Sequence, residues 1–349
     1  MNGENTFVYG RSYFDEEDLD IADVALVPCR VELWGGCAFV NFDNEAPPLV
    51  DCLGPTAERM DARNVGHLRA EWWNAAVLPV NWKLALEAFM EGYHVMATHP
   101  QIHRLSTPES LRYGPDAPHH PPQPTASETG RAFVEVSIAR LVKLGEGMAG
   151  MVHPSEAQIA QSLLEEDWPD EVTVASVAFM ERLRSEITSQ ARAQGLPMPD
   201  LNQLARDYPF KPLEFFFPNY CLLPMLGAMS AYRVRPLSAE TCLFEIWSLA
   251  FQPEDPDREP LPIPIPMAHD DPRFPEIPQQ DYSNLPMQQL GLHATGFETM
   301  RLSPQVEGLI SNFQRLIDGY LDALPSDVLM RGSALTCGGL DSPISDIGF

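Results

Sequence analysis

Positive charge is scarce in this sequence: 23 Lys and Arg stand against 49 Asp and Glu, for a formal net charge of −26. Nucleic-acid binding needs a basic footprint, so that class is excluded, and attraction to anionic membrane surfaces is disfavoured. Long apolar runs are missing too. They break within about ten residues, short of the ~20 that a membrane-spanning helix needs. The opening MNGENTFVYG has neither a basic region nor an apolar stretch of the kind a secretory signal carries. The six cysteines, at 29, 37, 52, 221, 242 and 337, form no C-x2-C pair and read as reduced, mostly core-packed thiols. No H-E-x-x-H motif and no internal repeat occurs. The expectation is a soluble cytoplasmic protein with no nucleic-acid or membrane partner. What remains is 44% hydrophobic over 349 residues, enough core for one large domain or two ordinary ones.

Residues 24–43, VALVPCRVELWGGCAFVNFD, alternate as two strands joined at Gly35-Gly36. A lone hairpin needs more sheet around it, so the opening reads as the tail of a domain. TFVYGRSYF before it has strand character. EAPPLVDCLGP (45–55) is linker-like, and strand-like residues around Trp72, Trp73, Val77 and Val80 follow. Residues 155–205 turn helical, with SEAQIAQSLLEE as a capped start. Residues 213–253 read as an antiparallel meander with turns at Pro218, Gly227 and Leu237-Ser238. A Pro-rich crossing (254–278) is too poor in backbone donors to be a central strand. QQDYSNLPMQQLGL leads to the last apolar-periodic helix, 303–324, and the tail 325–349 carries no usable signal.

The densest chemistry is NWKLALEAFMEGYHVMATH, Asn81 to His99. Its 81–94 portion is expected as a single helix, with Trp82, Leu86, Phe89, Met90 and Tyr93 forming an apolar stripe. On such a helix Glu87, Glu91 and His94 project from one side. Pro100 disfavours helical geometry at His99, which frees that histidine to swing toward His94. Each histidine alone reads more readily as a core or loop residue; the two together suggest a metal site. His103 is an alternative to His99, Glu87 is expected to orient a ligand histidine, and His119 and His120 read as solvated. Two histidines with one carboxylate and open positions is the donor set of non-haem Fe(II) oxygenases.

The pattern N-W-K-x3-E-x3-E-x-Y-H-x4-H resembles the iron-binding segment of the large (alpha) subunit of Rieske-type aromatic-ring-hydroxylating oxygenases. WGGCAFVNFD, EAPPLVDCLGP, FFPNYCLL and QQDYSNLPMQQLGL resemble further stretches of that family, so the likeness spans nearly the whole chain and is weakest in 105–205 and the tail. The resemblance implies an α+β fold of the helix-grip kind, a curved antiparallel sheet flanked by long helices and preceded by remnant strands of a Rieske domain. It divides the chain into 1–48, a remnant of that domain with its connecting strands, and 49–349, a mononuclear-iron catalytic domain with a helical insertion at 155–205. His94, His99 and Asp281 are implied to hold Fe(II). Asp281 is singled out because Gln289-Leu290-Gly291 follows it as a Q-x-G element does in the family. The other reading of Asp281 is a helix N-cap, with the helix beginning near Leu285 and Met287. Asp270, Asp271 and Glu276 are rivals without that context.

Glu91 is implied to link the iron site to a cluster histidine of a neighbouring subunit, with Tyr93 and Trp82 supporting the site. Glu91 stands where the family more often has Asp, and Ala88 where many relatives carry Asn. No Cys-x-His or Cys-x2-His pair occurs, so the [2Fe-2S] cluster is expected in a full-length protein or a partner rather than in these residues. The implied activity is hydroxylation of an aromatic or related organic substrate with O2, fed by a reductase or ferredoxin, in a homotrimer or α3β3 assembly. Two other classes remain open at this point: a non-redox binding module with the same pocket, and a zinc hydrolase, for which His-x4-His is the wrong spacing.

Overall fold

The computed structural model describes residues 4–15, 19, 24–103, 105, 129–147, 150–337, 340 and 342–349, without the side chains of Tyr93 and Met96. His119 and His120 therefore lie outside the described residues. The N-terminal residues expected as strand form no strand, only irregular chain and one 3-10 turn at Arg11–Tyr13. The first two strands, β1 (Arg30–Trp34) and β2 (Cys37–Asn41), form the expected hairpin. Gly35 and Gly36 make its two-residue turn at φ of 59° and 79°, a left-handed geometry that costs glycine nothing.

Two short helices, α1 (Leu49–Leu53) and α2 (Pro55–Ala62), lead into β3 (Leu68–Leu78). Further along come β4 (Glu214–Phe216), β5 (Tyr220–Pro224), β6 (Met229–Pro236), β7 (Cys242–Phe251) and β8 (Met267–Ala268). These six strands make one sheet in the order β4-β5-β6-β7-β3-β8. The meander read from 213–253 is its antiparallel body, and β3 inserts beside β7. The one strand within the Pro-rich crossing is β8, parallel to β3 at the sheet edge, where few ladder donors are needed.

Helices cover both faces of the sheet. On one face a large apolar cluster joins sheet residues such as Leu78, Phe244 and Ile246 to the helices α3 (Trp82–Glu87), α6 (Gly130–Gly147), α7 (Pro154–Ser162), α8 (Val172–Ala193), α9 (Leu201–Asp207), α10 (Glu276–Leu292) and α11 (Gly308–Leu321). Phe313 of α11 is fully buried and meets the rings of Trp82, Phe215 and Phe217, burial worth about 2–3 kcal/mol. On the other face Leu53, Ala57 and Met60 pack on Phe216, Leu222, Met229 and Ala231. Trp34 joins them, its ring 5.2 Å from Phe216, which ties the hairpin to the sheet.

Three helical expectations need correction. The stretch 81–94 is two helices, α3 and α4 (Tyr93–Thr98), because tight turns at Phe89 and Met90 bury Met90 and pack the half-buried Phe89 on the core before Gly92 restarts the chain. The helix expected near Leu285 begins at Glu276, inside the supposed crossing, with Pro278 early enough in it to be tolerated. The uninformative tail contains α12 (Ser326–Thr336), and the 155–205 segment opens on a His153 cap rather than Ser155. Among the described residues, no helix is long and apolar enough to cross a membrane.

Candidate metal centre

Two chain segments, distant in sequence, build the site. The first is α3–α4 and its continuation α5 (Pro100–His103). Asn81 caps α3 by accepting the Lys83 backbone N–H at 2.9 Å. After the break, Glu91 sits just before α4 and accepts the backbone N–H of His94 through Oε2 at 3.2 Å. A carboxylate suits that position, where helix amides lack partners and the dipole favours negative charge. His94 thus lies in the first turn of α4, and His99 just beyond its end at φ −119°, ψ 60°. The non-helical geometry before Pro100 turns His99 back, and the two imidazoles stand 5.2 Å apart at 80°. The second segment is α10. Asp281 lies one turn and more inside it, so it is not an N-cap.

His99 Nε2 approaches Asp281 Oδ1 at 3.0 Å and His94 Nε2 approaches the same oxygen at 3.8 Å. One donor atom from each of His94, His99 and Asp281 lies within 4.8 Å of the others. The opposite ring nitrogens are occupied: His94 Nδ1 meets Glu91 Oε1 at 2.6 Å, and His99 Nδ1 meets Gln280 Oε1 at 2.7 Å. Both rings therefore turn Nε2 inward, the arrangement that an acceptor on the other ring nitrogen imposes on metal-ligating histidines. Burial disfavours the charged form of His94, but the hydrogen bond and charge of Glu91, with Asp281 behind, hold its pKa above the ordinary value. A divalent cation among these atoms displaces such a proton. His99 is buried, whereas Asp281 is a quarter exposed, at 25% of its side chain. An open cleft of about 680 Å³ runs past Glu91, His94, Thr98, Gln280 and Asn284 toward Glu307.

The other sequence candidates fall elsewhere. Glu87 is buried against Gln314 of α11, whose amide donates to its carboxylate, and burial raises its pKa. It braces α3 rather than a histidine. His103 is buried in α5 and not part of the triad. Asp271 accepts both Arg273 side-chain and backbone donors, which leaves it no role in the triad, and Asp270 and Glu276 are outside it as well. Trp82 packs edge-on against Phe313. The backbone of Tyr93 opens α4, but its side chain lies outside the described residues.

Two features had no sequence signal. Gln280 is an acceptor for His99, hidden in a Gln-Gln-Asp run whose spacing says nothing about hydrogen bonds. The second is a polar cluster on the sheet face that α6 and α7 cover. A bulge in β3 leaves Glu71 out of register, and its carboxylate takes Ser248 Oγ at 2.8 Å and His153 Nε2 at 3.0 Å.

Residues 61–323 match the family described as ring hydroxylating alpha subunit (catalytic domain). The carnitine monooxygenase oxygenase subunit of Acinetobacter baumannii is 31% identical over 86 residues, covering 24% of this chain and 23% of the relative. The large oxygenase component of the naphthalene 1,2-dioxygenase system of Pseudomonas putida is 29% identical over 255 residues, covering 71% of this chain and 47% of the relative. The chain thus spans between about a quarter and a half of the length of these curated relatives. Among solved structures, the apo form of a quaternary ammonium Rieske monooxygenase gives a TM-score of 0.47 at 15% identity, over 92% of this chain and 67% of that one. Naphthalene 1,2-dioxygenase with indole bound gives 0.47 at 20% identity, over 87% and 62%.

Proposed function

The chain belongs to the ring-hydroxylating alpha-subunit family of Rieske-type oxygenases, and on that premise we propose that it carries the mononuclear Fe(II) site of an oxygenase component. His94, His99 and Asp281 hold the iron through Nε2, Nε2 and a carboxylate oxygen. The observation that carries this reading is the donor set itself: two inward imidazole nitrogens converge on one carboxylate, each ring anchored from behind. Two imidazoles and a carboxylate with open positions suit non-haem Fe(II). When bound, the iron supplies reductive activation of O2 beside an organic substrate.

The chain's own residues do the positioning. Glu91 aligns His94 and lies on the rim of the open cleft, where it offers a path for an electron from a Rieske-type [2Fe-2S] cluster. These 349 residues contain no Cys-x-His or Cys-x2-His pair to ligate that cluster. The substrate is an aromatic or related organic compound. Carnitine, glycine betaine and naphthalene, named by the relatives, are the compounds to test first. A reductase or ferredoxin feeds the cluster, and the assembled oxygenase is a homotrimer or α3β3 complex.

Residues 1–48 contribute strands to the cluster-bearing domain and 49–349 form the catalytic domain, with 155–205 inserted. The hairpin supports that division, because its outward face presents Val31, Leu33 and Val40 to solvent. An exposed apolar cross-strand face of this kind asks for a second sheet.

Iron analysis tests the site. The intact chain, loaded anaerobically, is expected to retain roughly one Fe per chain, and His94→Ala to retain none. Zinc held at equal occupancy under competition, or aromatic binding with no metal at all, would sink the oxygenase reading.

A further inference from the structure

Resting on the reading of His94, His99 and Asp281 as metal ligands, we infer that Gln280 is a positioning residue for His99, held in its working orientation by Gln101. Gln280 Oε1 lies 2.7 Å from His99 Nδ1. An amide oxygen only accepts, so Nδ1 carries the proton and Nε2 is left with its lone pair. Nε2 is the atom that faces Asp281 at 3.0 Å.

Gln101 fixes which end of the Gln280 amide points at the ring. Its Nε2 donates to Gln280 Oε1 at 2.9 Å, and Gln280 Nε2 donates back to Gln101 Oε1 at 3.1 Å. Turning Gln280 alone would set NH2 against NH2 and oxygen against oxygen. Turning both amides restores the pair but presents NH2 to His99, so Nδ1 must accept and Nε2 must hold the proton. That tautomer cannot bind a metal through Nε2. The clamp thus has two self-consistent settings, and a cation on Nε2 selects the first.

The two histidines are anchored differently. Glu91 is a carboxylate, an acceptor whichever way it rotates, so His94 needs no second device. His99 depends on a neutral amide whose orientation has to be enforced. Gln101 lies two residues past His99, and Gln280 precedes Asp281, so the segments that bring the ligands together also close the clamp. Asn284, one turn along α10, adds a bond to Thr98 Oγ1 at 3.3 Å that fixes α10 against α4.

The test is anaerobic Co(II) titration of the intact chain, followed by visible absorption, with circular dichroism to confirm folding. Gln280→Met removes the acceptor at similar size and is expected to weaken Co(II) binding by about 10- to 100-fold. Gln280→Glu keeps an acceptor in either orientation and is expected to stay within about threefold of the wild type. Gln101→Met, which frees the amide to turn, is expected to fall between them. In the Co(II) form, proton NMR in H2O should give one exchangeable, hyperfine-shifted Nδ1–H for each ligand histidine, with one of them lost in Gln280→Met. Gln280→Met binding as tightly as wild type, or Gln280→Glu falling as far as Met, would overturn the assignment. No Co(II) binding by the wild-type chain would overturn the metal reading and this inference with it.

Discussion

One carboxylate holds His94 at two points: Glu91 Oε1 meets the ring Nδ1 at 2.6 Å while Oε2 takes the backbone N–H at 3.2 Å. Glu91 therefore orients a ligand and caps the helix that carries it. The cleft reaches the same side chain from outside. Glu91→Ala is expected to bind iron about tenfold more weakly, as the loss of a ligand histidine's hydrogen-bond partner typically causes, yet to load fully when iron is in excess. O2 uptake driven by a Rieske-type donor is expected to vanish in the loaded variant. If Glu91→Ala cannot be loaded at any iron concentration, its function is to build the site rather than to connect it.

Asp281 is the one anionic member of the triad, and both Nε2 atoms face the same oxygen of its carboxylate. Asp281→Asn preserves shape while removing the charge that balances a divalent cation. Roughly one Fe per chain is expected to drop to near none after dialysis, with the helix content unchanged by circular dichroism. Iron retained in Asp281→Asn would move the third ligand elsewhere.

The site was legible in unequal parts. His94 and His99 declare themselves through spacing and through Pro100, because a proline constrains the residue before it by local sterics alone. Asp281 carries no such local mark; only the Q-x-G element that follows it, Gln289-Leu290-Gly291, points to it through the family resemblance. The α3–α4 break has no mark in the sequence because the apolar stripe continues across it; only the burial of Met90 and the packing of Phe89 on the core, tertiary facts, reward the turn. The meander strands were legible from their alternation and turn residues. The Glu71 cluster was not, since its three members come from a strand bulge, a helix cap and a neighbouring strand far apart in the chain.

That cluster predicts a pH signature. Glu71 is held below its ordinary 4.5, first by its hydrogen bond from His153, and His153 is held above its ordinary 6.5, first by its bond to Glu71. A depressed carboxylate stabilises the fold fully above 4.5 and less as pH falls through its lowered pKa. A raised imidazole stabilises it fully below 6.5 and less as pH rises through its raised pKa. The two contributions coincide between those values. A double-mutant cycle of Glu71→Ala and His153→Ala in urea is expected to give a coupling of about 1 kcal/mol at pH 5.5, shrinking by pH 8.5. A coupling that grows toward pH 8.5 would contradict the assignment.

Stability also rests on Arg59 of α2, whose Nε donates to Glu214 Oε1 at 2.7 Å from across the sheet face. Glu214 is almost entirely buried. Removing the cation strands a buried carboxylate, which typically costs about 3–5 kcal/mol. Arg59→Met should lower the unfolding free energy extrapolated from urea titration by that amount, and Arg59→Met with Glu214→Leu should recover a large share, because the paired loss leaves no orphan charge. A double variant no better than the single would mean that packing, not charge, dominates.

The hairpin makes the last prediction. Arg30, Glu32 and Trp34 of β1 turn toward the body, where Glu32 accepts the Leu49 N–H and Trp34 Nε1 donates to Asp61 at 2.9 Å. Val31 and Leu33 point the other way, opposite Val40 and Ala38, and Leu33 is 81% exposed. Apolar residues on an exposed strand pair invite edge and face association, whereas charges there suppress it. Val31→Lys with Leu33→Lys should therefore abolish self-association of the chain in light scattering and lower dye binding to apolar surface. The melting temperature should stay within about 2 °C, because Leu33 is 81% and Val31 56% exposed in this chain, so little apolar area is lost. A large fall in melting temperature would show that this face already packs against the body, and would remove the ground for assigning it to a second sheet.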